Sequence, residues 1–477
     1  MRRLRHILLV CVLCLLSVSV FCAAGSEGAG DLVSGDYQYR IRNDGSAMIT
    51  RYTGSAEVVA IPSSLDGIPV ASIGPKAFQW CTELMDVQIP EGVVSIGDYA
   101  FLYCKNLTFV NLPKSLKEIG KNPFAACESL TDIDLQPDHP VFLLDDDVLY
   151  SKPDSRMVSY LMCRRKGSYV VPDGTRIIGA AAFYTCENIS DLVLPDTITS
   201  IGQKAFYLCG SLTSVNLPES ISYVGAEAFS GCRGLHSLVF PNTITAIGDS
   251  AFENCTNLKE VVLPEDAISI GDKAFYNCSS LEQIHLPEGI TAIGKNTFAE
   301  CKNLVSIELP DGVTYIGAGA FLNCFALENI DIPATVNYVG SDAFYFCQKL
   351  QEIDLPNTCF YIGPRAFYGC SSLTAFRIPM VMNAINSYVF SGCTSLSEIR
   401  ITPRITSIGD YAFAACSGLT EIEIPDTVTE IGERAFYCCI SLESVTLPED
   451  AEFIHPSAFE QCIRLAEPPD LSRFEAQ

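Results

Sequence analysis

The chain has 477 residues, 48% of them hydrophobic, and carries 56 Asp and Glu against 31 Lys and Arg, a formal net charge of −25. So acidic a surface repels phosphate backbones and anionic lipid, which excludes nucleic acid as a partner and favours solubility or cationic partners. Length alone suggests two or three domains, but the internal order of the chain replaces that estimate.

Residues 1–24 place three arginines before roughly fifteen apolar residues and end on the small pair Ala23-Ala24, the order of a secretory signal peptide and too short for a membrane span. A retained anchor helix and a lipidated Cys22 are the alternatives. Polar "GSEGAGD" after the apolar run argues against the first, and bulky Phe21 against the second. Residues 25–35 form a linker. No later stretch reaches eighteen uninterrupted apolar residues, so the mature chain is expected to have no transmembrane segment and to be secreted or extracellular. Residues 36–66 alternate apolar and polar side chains around Asn43-Asp44-Gly45, a hairpin signal, and are expected to cap the N-terminus.

From here the chain repeats. Phenylalanines fall at 78, 101 and 124, then at 183, 206, 229, 252, 275, 298, 321, 344, 367, 390, 413, 436 and 459, each 23 residues from the last except for one step that is 36 longer. Each is followed three residues on by cysteine, giving sixteen copies, the first three in residues 67–135 and the other thirteen in 171–466. In "IGDYAFLYCKNLTFVNLP" (residues 96–113) the Leu107-x-x-Val110-x-Leu112 spacing predicts a short strand that Pro113 ends. Three residues after each such proline comes another apolar slot (Val93, Leu116, Ile198, Ile221), and then Ile-Gly. The glycine is expected to supply a positive φ at a bend, and the Ala-Phe segment a short helical or irregular turn. Seven inward slots in 23 residues cannot close a core alone; stacked coils can.

The period and the L-x-x-[IV]-x-[LI] segment are the signature of a leucine-rich repeat. Stretches such as "LPDTITSIGQKAFYLCGSLTSVNLP" (194–218) closely resemble the BspA-like leucine-rich repeat family, over about residues 35–465. The resemblance implies an α/β solenoid: a right-handed coil of sixteen 23-residue repeats, with a parallel β-sheet on its concave face and an N-terminal β-hairpin cap. It also implies a secreted or surface-associated protein, of bacteria or parasitic protists, that mediates protein–protein binding, as in adhesion to host proteins. A glycan-binding or envelope-structural solenoid is the alternative. The chain departs from the general leucine-rich consensus in its proline at the strand end and in lacking an asparagine ladder after it.

The extra length is assigned to 136–170, where "FLL" and "VLY" flank Asp145-Asp146-Asp147 and predict an inserted hairpin. A calcium loop spaces its acids and adds a distal Glu, so three adjacent acids fit a solvated turn better. The tail, 467–477, opens with Pro468-Pro469 on an inner strand slot, which blocks a further strand.

Chemistry is sparse. Histidines 139, 236, 285 and 455 stand far apart, none in H-E-x-x-H, and neither G-x-S-x-G nor a phosphate loop occurs, so no enzyme activity, catalytic residue or cofactor is expected. The cysteine ladder (Phe206 with Cys209, Phe436 with Cys439) offers one thiol per coil, whereas zinc needs four converging thiolates. Neighbouring coils fall within disulfide reach, but parallel Cβ vectors disfavour bridging, so buried free thiols are expected despite a secretory context that normally favours bridges. Off the ladder lie Cys359 in an apolar slot, Cys163 in the insertion and Cys438 beside Cys439.

Two binding surfaces follow from the period. The outward position of the strand carries Val239 and Val262, then His285, then Glu308, Asp331 and Asp354, then Arg377 and Arg400. This row fits an extracellular protein partner, with the valines as apolar anchor and the arginines, near Glu352, Glu398 and Glu421, as orienting charges; the bland alternative is a solvated face. The turn beside each Ala-Phe gathers Trp80, Tyr184, Tyr207, Tyr276, Tyr345, Phe346, Tyr368 and Tyr437, a rim that stacks on a glycan, anchors a protein, or covers the edge of the phenylalanine column.

Overall fold

The computed structural model describes residues 30–161, 167–449, 451–466 and 471. The predicted signal peptide of 1–24, Cys163 and all of the 467–477 tail but Leu471 lie outside the described residues. The chain winds into a β-solenoid of about 17 turns.

Each coil touches its neighbours along three columns of backbone hydrogen bonds. The first ladder is the predicted Leu-x-x-Val strand, parallel from Val58–Ala60 through Asp86–Gln88 and Phe109–Leu112 to Asp132–Leu135, and again in blocks from Ser168–Val170 to Ser444–Thr446. A second parallel ladder is built from two-residue strands such as Ser95–Ile96, Ser200–Ile201 and Tyr361–Ile362. Only one strand per coil was expected. The Ile before glycine forms the other, because it is buried and its neighbours pair with the coils on either side.

The third column corrects the α/β expectation: no helix occurs among the described residues. The Ala-Phe segment is a turn in which the residues two before and two after the phenylalanine are left-handed, for example Lys204 (φ 58°) and Leu208 (φ 58°) around Phe206. Left-handed residues at that spacing rule out a run of right-handed ones, so i→i−4 bonds never accumulate. The turn instead bonds outward, as Phe206 N–H donates to Ala228 O at 2.7 Å in the next coil.

The glycine after each isoleucine has a different role from the one expected. Gly363 and its equivalents are not in the positive-φ region, while a Cβ on Gly363 would lie 2.3 Å from Ser341 N and 2.7 Å from Gly340 C. The position is small because two coil backbones meet there. Asn386 and His455 take the place in two coils, the Asn386 Nδ2 donating to Ile362 O at 2.6 Å.

Inside, Phe206, Phe436 and their equivalents stack ring on ring at 5.0–5.8 Å, and Tyr52 begins the column on Phe78 at 5.1 Å. Such pairs add about 0.5–1.5 kcal/mol each beyond burial. At the N-terminus Leu32–Ser34, Tyr37–Ile41 and Ala47–Tyr52 form an antiparallel meander that joins the second ladder through Ile68–Ile73. Residues 32–34, expected as linker, are thus its first strand.

In the insertion, Phe142–Asp145 and Val148–Ser151 pair across Asp146 (φ 46°) and Asp147 (φ 58°), a two-residue turn with both residues left-handed. The next strand, Arg156–Tyr160, returns antiparallel and then pairs parallel with Ile177–Ile178. Strand alternation, reset by a bulge at Val158, sends Val148, Met157 and Tyr160 into the core of the later coils and Leu149, Val158 and Leu161 into that of the earlier ones. The insertion is a partition between two cores, and Tyr160 restarts the aromatic column on Phe183 at 5.0 Å.

Replacing Gly363 by Ala is expected to destabilise the protein by about 1–3 kcal/mol, since the new methyl meets backbone that has nowhere to go. Urea unfolding measures this; an unchanged midpoint contradicts the close approach.

Candidate interaction surface

In the first ladder, inward Leu, Ile and Val alternate with outward residues that stand in register from coil to coil. Val239 and Val262 are paired neighbours and are 62% and 55% exposed. His285, Glu308 and Asp331 follow as successive partners, all exposed. Asp354 is exposed in the next coil, where the chain leaves strand geometry, and beyond it Arg377 pairs with Arg400. Like charges directly opposite on a sheet cost roughly 0.2–1 kcal/mol per pair. None of the ion pairs among the described residues joins either arginine to the nearby Glu352, Glu398 or Glu421. Two members of the same row are structural: Asn111 and Asn216 each reach back to both the N–H and the C=O of the preceding coil, at Ile89 and Leu194.

The aromatic rim is stacked on itself. Trp80 lies 4.2 Å from Tyr103, Tyr184 lies 5.0 Å from Tyr207, and Tyr345 lies 5.0 Å from Tyr368, with Phe346 edge-on to both of the last two. Arg434 sits over Tyr437 at 5.3 Å, and Tyr276 is half-buried. The ring faces that a sugar needs are largely taken by neighbouring coils, leaving edges and hydroxyls outward. Sequence reasoning missed two further stacks, Tyr388 on Tyr411 at 4.8 Å and the triple stack Tyr315–Tyr338–Tyr361 at 5.0 and 4.8 Å. The signal for the triple was present: tyrosine recurs two residues before glycine in three successive coils.

Every described cysteine is free. Most ladder thiols do more than pack: the Cys209 Sγ–H donates to Phe183 O at 3.0 Å, and Cys439 to Phe413 O at 3.1 Å, each in the preceding coil. Burial pushes the Cys209 and Cys255 thiols up to about 12 and Cys359 to about 11, so at neutral pH they are protonated, inert donors. Cys438, half-buried in the left-handed position after Phe436, belongs to no such column. Among the described residues no group of three or more His, Cys, Asp or Glu is placed to hold a metal ion.

Stacked parallel coils with a strand of leucine-rich spacing define a leucine-rich-repeat solenoid. The model for the BspA type leucine rich repeat region matches residues 55–143, 159–281, 268–397 and 337–466, and the chain belongs to that family. Among solved structures it is similar to a leucine-rich repeat protein from Bacteroides ovatus, at 28% identity and TM-score 0.52 over 84% of this chain and 100% of that one. It is also similar to a leucine rich cell surface protein from Faecalibacterium prausnitzii, at 27% identity and TM-score 0.43 over 79% and 95%. No curated protein matches the chain. Leucine-rich repeat proteins typically bind proteins. No helix among the described residues is long and apolar enough to cross a membrane.

The thiol column sets an alkaline limit. Below about pH 9 both folded and unfolded thiols are protonated; between there and about 12 only the unfolded ones ionise, so stability falls by up to ~1.4 kcal/mol per pH unit for each buried thiol. Urea midpoints at pH 8 and pH 10 are expected to differ less in a Cys209→Ala, Cys232→Ala, Cys255→Ala variant than in the parent. Equal pH dependence in the two contradicts the assignment.

Proposed function

We propose that this protein is secreted or held at a cell surface, and that it binds an extracellular protein, as an adhesin does, without catalysing a reaction. The observation that carries this reading is the outward row of the first ladder. It holds an exposed valine pair, an acidic run and an arginine pair whose like charges lie directly opposite one another and form none of the contact ion pairs among the described residues. Exposed charges without a contact ion pair are suited to a partner's complementary charges, with the valines as its apolar contact. Membership of a family that typically binds proteins agrees with it, as does similarity to a protein described as a leucine rich cell surface protein.

The glycan reading has one observation in its favour, the 56% exposure of Trp80 at the end of its stack. Tyr184, Tyr207, Tyr345, Phe346 and Tyr368 are engaged with neighbouring rings and Tyr437 with Arg434, which leaves protein binding the better supported of the two.

Reversing both arginines (Arg377→Glu with Arg400→Glu) is expected to weaken binding to a matrix protein, found by screening immobilised extracellular proteins and glycans, by about 10–100-fold. The urea midpoint is expected to stay within about 0.5 kcal/mol of the parent, because the side chains are exposed. Protein binding that survives the reversal overturns the assignment of this face, and glycan binding lost with Trp80→Ala favours the alternative.

A further inference from the structure

The second ladder presents a face unlike the rest of the molecule. Across ten coils, from Ser200 to Ser407, neither its outward residue nor the residue before it carries a charge, in a chain whose net charge is −25. The outward residues are tyrosine, serine or alanine, and Tyr223, Tyr315 and the neighbouring Phe360 and Ile268 are 40–63% exposed. Threonine and serine in the preceding column have a structural use, since Thr314 Oγ1 and Ser222 Oγ donate to the C=O of the coil before. That use does not explain the tyrosines or the exclusion of charge.

We propose that two copies of this chain dock antiparallel through this face, about a twofold axis that runs along the strand direction between Ala292 and Tyr315. The symmetry makes the pairing definite, because each coil meets the coil equally far on the other side of the axis. Tyr315 then faces Ala292, Tyr338 faces Ser269, Tyr361 faces Ala246 and Tyr223 faces Ala384, so every large side chain lies against a small one. Along the margin toward the Ala-Phe turn the same register sets Lys273 opposite Asp342, which also pairs with Arg365 of its own copy. On the other margin the one charge pair that stands in register is a like one, Glu288 with Asp311.

Two acidic copies repel wherever charged faces meet, so an uncharged face is where they can approach. Ten coils at about 4.8 Å span about 48 Å. Three strand residues with their side chains give a width of about 15 Å, so each copy contributes roughly 700 Å², close to the ~800 Å² per partner of a stable interface.

Sedimentation of the purified full chain at about 100 μM, where an interface of this size is populated, is expected to give twice the chain mass. Tyr338→Arg is expected to give the single-chain mass with its urea midpoint retained; should that variant misfold, Ala246→Glu makes the same test from the opposite side. Mixing Ser269→Cys and Tyr338→Cys copies with a short thiol cross-linker is expected to join unlike copies. Ser269→Cys alone is not, as its two thiols would stand three coils, about 14 Å, apart along the interface. A single-chain mass for the parent, a dimer that survives Tyr338→Arg, or efficient joining of Ser269→Cys to itself overturns the proposal. The arginine reversal on the first ladder is expected to leave the dimer intact, which separates this surface from partner binding.

Discussion

The spacing between coils is the constraint on which everything else rests. Backbone hydrogen bonds in three columns hold successive turns about 4.8 Å apart, so a side chain at any position lies directly over its counterpart 23 residues away. An interior position must therefore be filled by a residue that stacks well on itself. Phenylalanine does so with offset rings, and cysteine does so because it is small and its thiol bonds the carbonyl of the coil before. Glycine does so where the two backbones come too close for a Cβ. Stability is then a sum of neighbour terms along the axis, with the partition at residues 142–160 coupling two cores that would otherwise end there.

Outside, the same spacing turns single choices into columns. An outward residue is free of the packing rule, yet it still faces its neighbours at sheet distance, so charge, aromatic character or neutrality accumulates along the molecule. The first ladder gathers charge in blocks of one sign, at a cost in repulsion; the second excludes charge over ten coils; the turn column stacks aromatics. Three differently composed surfaces on one rod suit a protein whose role is contact, and the partner-binding and self-association surfaces proposed here lie on different ladders.

The interior was legible from the sequence because burial dictates residue type and the period repeats it many times over: Phe206 and Cys209 are legible as ladder members from spacing alone. What escaped was decided by backbone geometry. A two-residue strand such as Ser200–Ile201 is too short to leave an alternation pattern, so the second ladder escaped, and with it the meaning of the tyrosines that recur before its glycines. The glycine after it suggested positive φ, but the left-handed residues lie in the turn and most are non-glycines such as Lys204 and Cys438, held by inter-coil bonds that no local propensity reports. On the outward row the exposed residues were placed correctly. Which of them serve the fold, as Asn111 and Asn216 do, depended on side-chain reach across coils.

The claim that register between coils holds the molecule together is tested most directly by removing one coil. Deleting residues 299–321 joins Phe298 to Leu322 and leaves Cys324 three residues after Phe298 in the shortened chain, so every column closes again one step shorter. Such a chain is expected to unfold in a single urea transition near the parent midpoint, whereas a deletion three residues shorter throws all later columns out of step and is expected to lose most of that stability. Equal behaviour of the two deletions, or failure of the in-register one to fold, would contradict it.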